Sequence, residues 1–530
     1  MTLHRATTFS EPMQLDRHSS LGRIEHRLRS LLPSQLYAEA WIDPSSDTLM
    51  RIFQHLRTLL YILGDHVPPP VKQAPPTPGE LRYQWQEGSL LFTDLAGFTP
   101  FMEAHIVSGQ AGAERLLELL NHYFSTMTAI ISKSGGELLE FTGDAILAQF
   151  LDPETGEDGN RAVRAGLRMQ RAMAEFQQVK TPSGVFDLKM RVGIHWGRFL
   201  TADVGTPLRM ERVLLGKVVQ EAKQAEGAGQ IGGVCLTRDL ADRLGGQVNL
   251  QHWKDQYYLV VDDFNANSLG EYEIALRRRQ SNPILFDRSA TALVAEIQTL
   301  LNQIEPLASY QSAPILKLLV EHAADRSIPP QFPQITVLFV SLLGVFQHID
   351  TLPSAEEALI VGHLNRLFSL MNAMVQAQSG VLQRLTYHPG GSDLLIYFGT
   401  PNAHNNDTYR AASIACSIRD LLQNWPTLSL ESQDIHFACQ IGIDYGSVFA
   451  AEIGETRGRR EYNILGDTVN TAARLMSRAE PQQILLTDAV RKVLQDQALD
   501  VGHPFQVQPL GSMNVKGKTQ SLAVYSLDWA

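Results

Sequence analysis

The chain has 530 residues, more than one ordinary hydrophobic core requires, which predicts two or more domains. A hydrophobic fraction of 44% and a charged fraction of 19% are typical of a globular protein, and a formal net charge of −11 excludes the basic footprint of nucleic-acid binding. The three cysteines, Cys235, Cys416 and Cys439, are too few and too scattered for a disulfide framework, and they suit a cytoplasmic location.

Residues 1–80 are predicted to form a helical lead and a proline-rich linker. The stretch LMRIFQHLRTLLYILGDHV at 49–67 has helical spacing, and PPPVKQAPPTP at 68–78 is typical of a stiff linker. We expect this helix to pack against a partner helix or a second chain, so the lead could serve self-association or an upstream regulator. No apolar run reaches the roughly 18–20 residues that span a bilayer, so no transmembrane segment is predicted.

The remainder of the chain contains a repeat of domain size. A helical lead and a second proline-containing linker, IPPQFP at 328–333, precede a second apolar strand just as the first lead and linker precede theirs. Four segments then match in order and at nearly constant spacing: Leu120-Asn121 with Leu364-Asn365, Phe150 with Phe398, RVGIHWG with QIGIDYG, and ERVLLG with EYNILG. We therefore predict a first copy at 88–276, a helical linker at 277–331 and a second copy at 332–528.

Within each copy the predicted order is strand, helix, hairpin, helix, strand, helix, strand. In the first copy, GAERLLELLNHYFSTMTAIISKSG has helical spacing, and GGELLEFTGDAILAQF is typical of a hairpin with a Thr-Gly-Asp turn. This order predicts an α+β fold with two ferredoxin-like (βαββαβ) domains. Helices cover only one face of such a sheet, so we expect the two copies to pack as a pseudo-two-fold intramolecular dimer.

Two carboxylates of the first copy fall at one predicted sheet edge. Asp94 ends the strand of LLFTDLAGFT, and Asp144 lies in the adjacent hairpin turn. Paired carboxylates repel each other unless a cation lies between them, and hard oxygen ligands suit Mg²⁺ or Mn²⁺. The backbone N–H groups after Asp94 open a helix, which is anion-binding geometry. Each residue taken alone could instead be a helix cap or a turn residue.

The motifs at both ends of this pattern resemble those of class III adenylate/guanylate cyclases. FTDLAGFT and GGELLEFTGDAILAQF are similar to the metal-binding half of that family, and GRREYNILGDTVNTAARL at 458–475 is similar to its ribose and transition-state half. Two unequal copies in one chain resemble the tandem soluble adenylyl cyclases. The resemblance implies conversion of ATP to 3′,5′-cyclic AMP and pyrophosphate, with two Mg²⁺ or Mn²⁺ ions, at one site between the copies.

The resemblance also implies roles for individual residues. In the first copy, Asp94, Asp144 and the backbone of Leu95 would hold the metals. The polyphosphate would meet residues from both copies: Gly97, Phe98, Thr99, Gly143, Arg191 and Lys516. In the second copy, Asn470 would orient the ribose, Arg474 would stabilise the transition state, and Asn463 would read the purine. Leu465 would also bind the substrate.

The mirror-image site lacks these residues. Ser341, Ser392 and Gln440 stand where the first copy has Asp94, Asp144 and Arg191, and Gln220 and Gln224 stand where the second has Asn470 and Arg474. One competent and one degenerate site is the simplest account of this division. The degenerate pocket would hold Glu140 and Lys223, either as an ion pair or facing a regulator. Bicarbonate-responsive relatives carry a lysine and an arginine there, so the charge of Glu140 argues against an anionic regulator.

The choice of base stays open in the sequence. The amide of Asn463 can both donate and accept, so it could pair with adenine or guanine. The lysine of adenylate-specific members should lie near LQRLTYHPGGS, where Arg384 and His388 are the candidates. The positions typical of guanylate cyclases are not clearly matched, which favours ATP. The alternatives are a guanylate cyclase, a catalytically silent nucleotide-binding regulator and a purely structural scaffold.

Overall fold

The computed structural model describes residues 21–152, 154–181, 184–265, 268–270, 287–344, 349–351, 354–388, 391–430, 434–455, 458–501, 505–513 and 521–529. Its helices are α1 Glu25–Leu28, α2 Ser34–Ile42, α3 Ser46–Asp65, α4 Pro69–Gln73, α5 Phe98–Ile106, α6 Gly109–Lys133, α7 Asp158–Ala172, α8 Lys217–Ala228, α9 Arg238–Leu244, α10 Ala290–Ala308, α11 Ala313–Glu321, α12 Ser354–Ala377, α13 Asp407–Gln423, α14 Asp467–Met476 and α15 Asp488–Val501.

The strands fall into two series. The first is β1 Arg82–Ala96, β2 Glu137–Thr142, β3 Ala145–Phe150, β4 Val179–Thr181, β5 Gly184–Phe186, β6 Lys189–Thr206, β7 Arg209–Leu215, β8 Val234–Thr237, β9 Leu250–Lys254 and β10 Tyr257–Val260. The second is β11 Gln334–Leu343, β12 Val381–His388, β13 Gly391–Phe398, β14 Leu428–Ser429, β15 Asp434–Ile435, β16 Ala438–Ser447, β17 Phe449–Gly454, β18 Arg460–Leu465, β19 Ile484–Thr487, β20 Phe505–Met513 and β21 Leu522–Trp529.

The two helical leads form one compact unit, which groups the described parts of Met1–Val67 and Leu276–Ile328. The helix predicted at 49–67 is α3, and it packs against α10, which confirms the expectation of a partner helix. Arg27 ties the two leads together through an ion pair with Glu305 at 2.5 Å. The structure thus groups two segments that the sequence analysis describes separately, because each presents an apolar stripe that the other covers.

The second unit comprises Pro68–Ala275 and Pro329–Ala530, and contains both copies. Its larger sheet runs β2-β3-β1-β6-β8-β10-β9, with β7 paired to β6, and the other sheet runs β12-β13-β11-β16-β19-β21-β20. The two orders are the same strand for strand. This confirms the prediction of two α+β copies of one fold. The first strand begins at Arg82 rather than near residue 88, because β1 pairs with β6 along its whole length.

The copies join by exchanging a hairpin. We call residues 199–215, the end of β6 with β7, the first arm, and residues 449–465, β17 with β18, the second arm. Phe449, Ala451, Ile453 and Leu465 of the second arm pack into the hydrophobic core of the first copy. The first arm enters a cluster made largely of second-copy residues, so each copy completes its core with the other.

One helix of the second copy meets the length and composition of a membrane span. Within the described residues this stretch is Glu356–Ala377 of α12, with a mean hydropathy of 1.2 and 39% of the window buried. The sequence analysis predicts no span here, because it finds no apolar run long enough to cross a bilayer. The apolar face of α12, including Leu364 and Phe368, belongs to the core cluster, and core helices pass the same test, so the observation is weak evidence for a span.

Candidate active site

Asp94 lies near the end of β1, at the edge where the sequence predicts a metal site. Its strand partner in β6 is Arg191. The Arg191 Nη2 donates a hydrogen bond to Asp94 Oδ2 at 3.2 Å, and both side chains are about one-third exposed or less, at 26% and 34% respectively. The guanidinium thus balances part of the carboxylate charge.

Asp144 lies in the two-residue turn between β2 and β3, which pairs Thr142 with Ala145 as the sequence predicts. Gly143 supplies the turn with a φ of 72°, in the region that favours glycine. Burial, followed by the charges of Asp94 and Glu226, raises the pKa of Asp144 well above its usual range. Burial and repulsion disfavour the charged form of Asp144, and a divalent cation shared with Asp94 would stabilise it. The two carboxylates therefore suit Mg²⁺ or Mn²⁺ as ligands.

Protein groups alone do not complete this metal site. Across the described ranges, no cluster of three or more His, Cys, Asp or Glu side chains is arranged to hold a metal ion. Two carboxylates with open positions suit a cation that shares its ligands with a phosphate, because Mg²⁺ keeps several positions for water or substrate oxygens.

Glu226 is a site residue that the sequence analysis missed. It is buried in α8, and its Oε1 forms an ion pair with Arg191 Nε at 2.6 Å. A Cβ at Gly193 would lie 2.1 Å from the Glu226 nitrogen, so this glycine permits the close approach of α8 to β6. Comparison of the copies offered a signal, because Met476 replaces Glu226 in the same copy where Gln440 replaces Arg191.

The predicted phosphate loop follows β1 directly. Gly97 has a φ of 88° and turns the chain into α5, which begins at Phe98. The first N–H groups of a helix have no partner within it, and the helix dipole favours negative charge there. The segment from Leu95 to Thr99 therefore has the backbone geometry that the sequence predicts for binding an anion.

The second arm places Asn463 and Leu465 against the β2–β3 hairpin, which carries Asp144 in its turn. Asn463 is buried, and its Nδ2 donates to the backbone carbonyl of Phe141 at 3.4 Å. A Cβ at Gly143 would lie 3.8 Å from Leu465 Cδ2. Groups proposed to meet the purine and groups proposed to hold metal thus adjoin, although they come from different copies.

Asn470 and Arg474 lie four residues apart on α14 and hence on one face of that helix. The helix starts directly after Gly466, next to Leu465. Both side chains are half-exposed, and neither forms a hydrogen bond or ion pair with the part of the chain that the structure describes. They are available to a ligand.

Strand register separates the two base-reading candidates. Arg384 faces Leu395 after a bulge in β12, as Glu140 faces Leu147 after a bulge in β2, so these two positions correspond. His388 is at the end of β12, and nothing is described of its side chain. Lys516 lies outside the described residues.

Arg384 is already engaged by the protein. Its Nη2 donates to Glu461 Oε2 at 2.5 Å, and its Nη1 donates to the carbonyl of Phe141 in the first copy. Burial opposes its charge, but Glu461, Glu140 and Glu211 more than compensate and raise the pKa of Arg384. This guanidinium links the two copies.

The degenerate site contains no paired carboxylates at the matching positions. Ser341 and Ser392 are buried there, and the Gln440 Nε2 donates to the backbone carbonyl of Ala479. Burial lowers the pKa of Lys223, while the charges of Glu140 and Asp393 oppose that shift. The charges of two carboxylates, one from each copy, thus act on the Lys223 ammonium, and the predicted Glu140–Lys223 ion pair stays a prediction.

Comparisons with known proteins agree with this arrangement. Adenylate cyclase type 10 of Mus musculus is 24% identical over 408 residues, covering 74% of this chain and 24% of that protein, and the Homo sapiens protein is 23% identical over 405 residues, covering 74% and 24%. This chain spans about a quarter of the length of these curated relatives.

A solved structure shares the fold across both copies. It is described as a class III adenylyl cyclase-like ATP-binding protein from Pseudomonas aeruginosa, with a TM-score of 0.52 and 13% identity, covering 84% of this chain and 94% of that one. Residues 82–263 and 328–528 match the family described as the adenylate and guanylate cyclase catalytic domain. These segments make up more than half of the chain, which therefore belongs to the adenylate and guanylate cyclase family.

Proposed function

We propose that the chain is a nucleotidyl cyclase that converts ATP to 3′,5′-cyclic AMP and pyrophosphate at one site between the two copies. The proposal depends on one contact between the copies. Asn463 of the second arm donates a hydrogen bond to the carbonyl of Phe141, in the hairpin whose turn contains Asp144, the carboxylate paired with Asp94. Arg474 follows on the adjoining helix, and its guanidinium forms no hydrogen bond or ion pair within the described ranges. The degenerate site offers none of these groups.

The reaction is an intramolecular phosphoryl transfer. The 3′-hydroxyl oxygen attacks the α-phosphorus, the bond from that phosphorus to the bridging oxygen of pyrophosphate breaks, and the hydroxyl proton passes to solvent. Divalent cations held by Asp94 and Asp144 would neutralise phosphate charge and lower the pKa of the attacking hydroxyl. The backbone of Leu95 would add an oxygen ligand.

The chain's own groups position the substrate and balance its charge. Backbone N–H groups from Gly97 to Thr99 bind phosphate oxygens. A cation bound at Asp94 would free the Nη groups of Arg191 to contact the polyphosphate. Asn470 hydrogen-bonds the ribose, and Arg474 stabilises negative charge that develops at the α-phosphoryl group. Lys516 would contact the terminal phosphate.

The second candidate is a catalytically silent ATP-binding protein. It is favoured by the Pseudomonas structure, which shares the fold and is described as cyclase-like and ATP-binding. The intact set of Asp94, Asp144, Asn470 and Arg474 favours turnover instead, since binding alone does not require a transition-state arginine. A guanylate cyclase is the third candidate.

A product assay with ATP and GTP side by side, in Mn²⁺ and in Mg²⁺, tests the proposal. We expect cyclic AMP from the wild type and a loss of about 100-fold or more in Asp144→Ala and in Arg474→Ala. The matched controls Ser392→Ala and Gln224→Ala change the corresponding positions of the degenerate site and should retain activity. ATP binding without product identifies the silent alternative, and cyclic GMP as the main product identifies a guanylate cyclase.

A further inference from the structure

A β-bulge in β12 places two polar side chains beside the proposed purine site. The register shifts between Leu382 and Arg384, so Gln383 is the extra residue without a strand partner. Both Gln383 and Arg384 bond to the second arm, Gln383 to Asn463 and Arg384 to Glu461. Because Arg384 is bound to Glu461 and to the first copy, the neighbouring glutamine is the group left to meet a base.

The amide of Asn463 is fixed in one orientation. Its Oδ1 accepts from the backbone N–H of Ile464 at 3.0 Å and from Gln383 Nε2 at 2.7 Å, while its Nδ2 donates to the carbonyl of Phe141 at 3.4 Å. A backbone N–H can only donate and a carbonyl can only accept, so these partners determine which end of the amide is which. Asn463 therefore presents a donor to a ligand and no free acceptor.

Gln383 is fixed in the same way. Its Nε2 donates to the carbonyl of Tyr462 at 3.3 Å as well as to Asn463. Its Oε1 is buried and has no hydrogen-bond partner in the described part of the chain. A buried amide oxygen without a donor is uncommon in a folded protein and calls for one.

The degenerate half has no such amide pair. Strand pairing equates Gln383 with Leu139, the extra residue of the β2 bulge, and Asn463 with Val213 of the first arm. Leu139 and Val213 are both buried in the apolar core cluster. The polar pair thus occurs only in the half of the interface that also carries Asn470 and Arg474.

We propose that Gln383 is a specificity-determining residue that recognises the 6-amino group of adenine, an inference that rests on the proposed cyclase function. The Gln383 Oε1 accepts from the amino group, and the Asn463 Nδ2 donates to the adjacent ring nitrogen N1. Adenine presents this donor beside this acceptor. Guanine bound in the same pose would place its O6 against the Gln383 oxygen, acceptor facing acceptor.

The test compares ATP with the purine nucleoside triphosphate that carries hydrogen in place of the 6-amino group. For the wild type we expect kcat/KM for ATP to exceed that for the analogue by about 10-fold to 100-fold. In Gln383→Leu, ATP should lose that advantage and the ratio should fall to within about threefold of unity, since neither substrate then meets an acceptor. Gln220→Leu removes an amide from the degenerate half and should leave the wild-type ratio unchanged.

A purely structural role for Gln383 would lower kcat/KM for both substrates equally. An unchanged ratio in Gln383→Leu, or a wild type that prefers GTP, therefore overturns the inference. Dissociation constants for the same two nucleotides, measured with Mn²⁺ on the same proteins, give the ratio independently of turnover. Absence of cyclic product with a binding ratio that collapses in Gln383→Leu would reject the cyclase proposal alone.

Discussion

The side-chain oxygen of Asn121 in the first copy accepts a hydrogen bond from the backbone N–H of Gly454 in the second, at 3.1 Å. The reciprocal bond joins Gly205 to Asn365 at 2.6 Å. Both glycines end an arm strand with a φ near 130°, where a Cβ would collide with the facing backbone. The asparagine of the repeated Leu-Asn pair thus anchors the arm of the other copy by a hydrogen bond.

Replacing Asn121 with alanine should loosen this interface. We expect a loss of about 1–2 kcal/mol in the free energy of unfolding, since the Gly454 N–H loses its acceptor, and a similar loss for Asn365→Ala. Urea unfolding followed by circular dichroism measures both. Asn424→Ala is the control, because the exposed Asn424 side chain donates to the Asp420 carbonyl at the end of its own helix. Equal stability of all three variants would show that the arms do not depend on these bonds.

Replacing Glu226 with glutamine should weaken the hold on Arg191 without removing any group that contacts the substrate. With a cation bound at Asp94, Glu226 would be the acidic partner left to Arg191. Its loss should raise KM for ATP by about 10-fold and change kcat less. Glu226→Asp should recover part of the affinity. Glu221→Gln, one turn earlier on the same helix, is the control. An equal fall in kcat with no change in KM would contradict a role in positioning Arg191.

The single substitution Arg384→Met should lower the free energy of unfolding more than the double substitution Arg384→Met with Glu461→Gln. Arg384→Met leaves a buried carboxylate short of one partner, and breaking a buried ion pair costs about 3–5 kcal/mol. Glu461 keeps Arg459 as a second partner, so we expect the lower end of that range. A double-mutant cycle with Glu461→Gln should give a coupling energy of about 1–3 kcal/mol. Additive losses would mean that the two residues do not stabilise the interface as a pair.

His195 should make stability depend on pH. It is buried in β6, with Nδ1 2.7 Å from Thr237 Oγ1, and burial lowers the pKa of His195 to about 4. Between pH 6.5 and 4, His195 is protonated in the unfolded chain and neutral in the folded one. Its contribution to the free energy of unfolding is therefore fully present above pH 6.5 and is lost as the pH falls. The loss should approach about 3 kcal/mol near pH 4. Unfolding titrations of wild type and His195→Gln measure it, and identical slopes would refute it.

Bicarbonate should not activate this protein. The carboxylate charges of Glu140 and Asp393 already act on Lys223 in the degenerate pocket, so an added anion would meet negative charge. We expect less than about a twofold change in cyclase rate when bicarbonate replaces chloride at constant pH and ionic strength. A saturable rise of several-fold that disappears in Lys223→Met would show instead that the pocket binds the anion.

The sequence by itself determined the repeat, the strand and helix order, the Asp94/Asp144 pair and the division of motifs between the copies. These features depend on periodicity, turn chemistry and spacing, which are local properties of the chain. The same reasoning placed the start of a helix after Asp94 and the hairpin turn at Thr-Gly-Asp, where Gly97 and Gly143 adopt the positive φ that favours glycine.

Only the tertiary structure decided which side chains engage one another. Glu226 pairs with Arg191 because α8 approaches β6 at Gly193, and Arg384 rather than His388 corresponds to Glu140 because the β12–β13 hairpin pairs in that register. The helical leads join in one unit although the 208 residues from 68 to 275 separate them. Such contacts depend on packing between distant parts of the chain. A buried charge or amide requires a polar partner, and the fold, not the adjacent sequence, determines which residue that partner is.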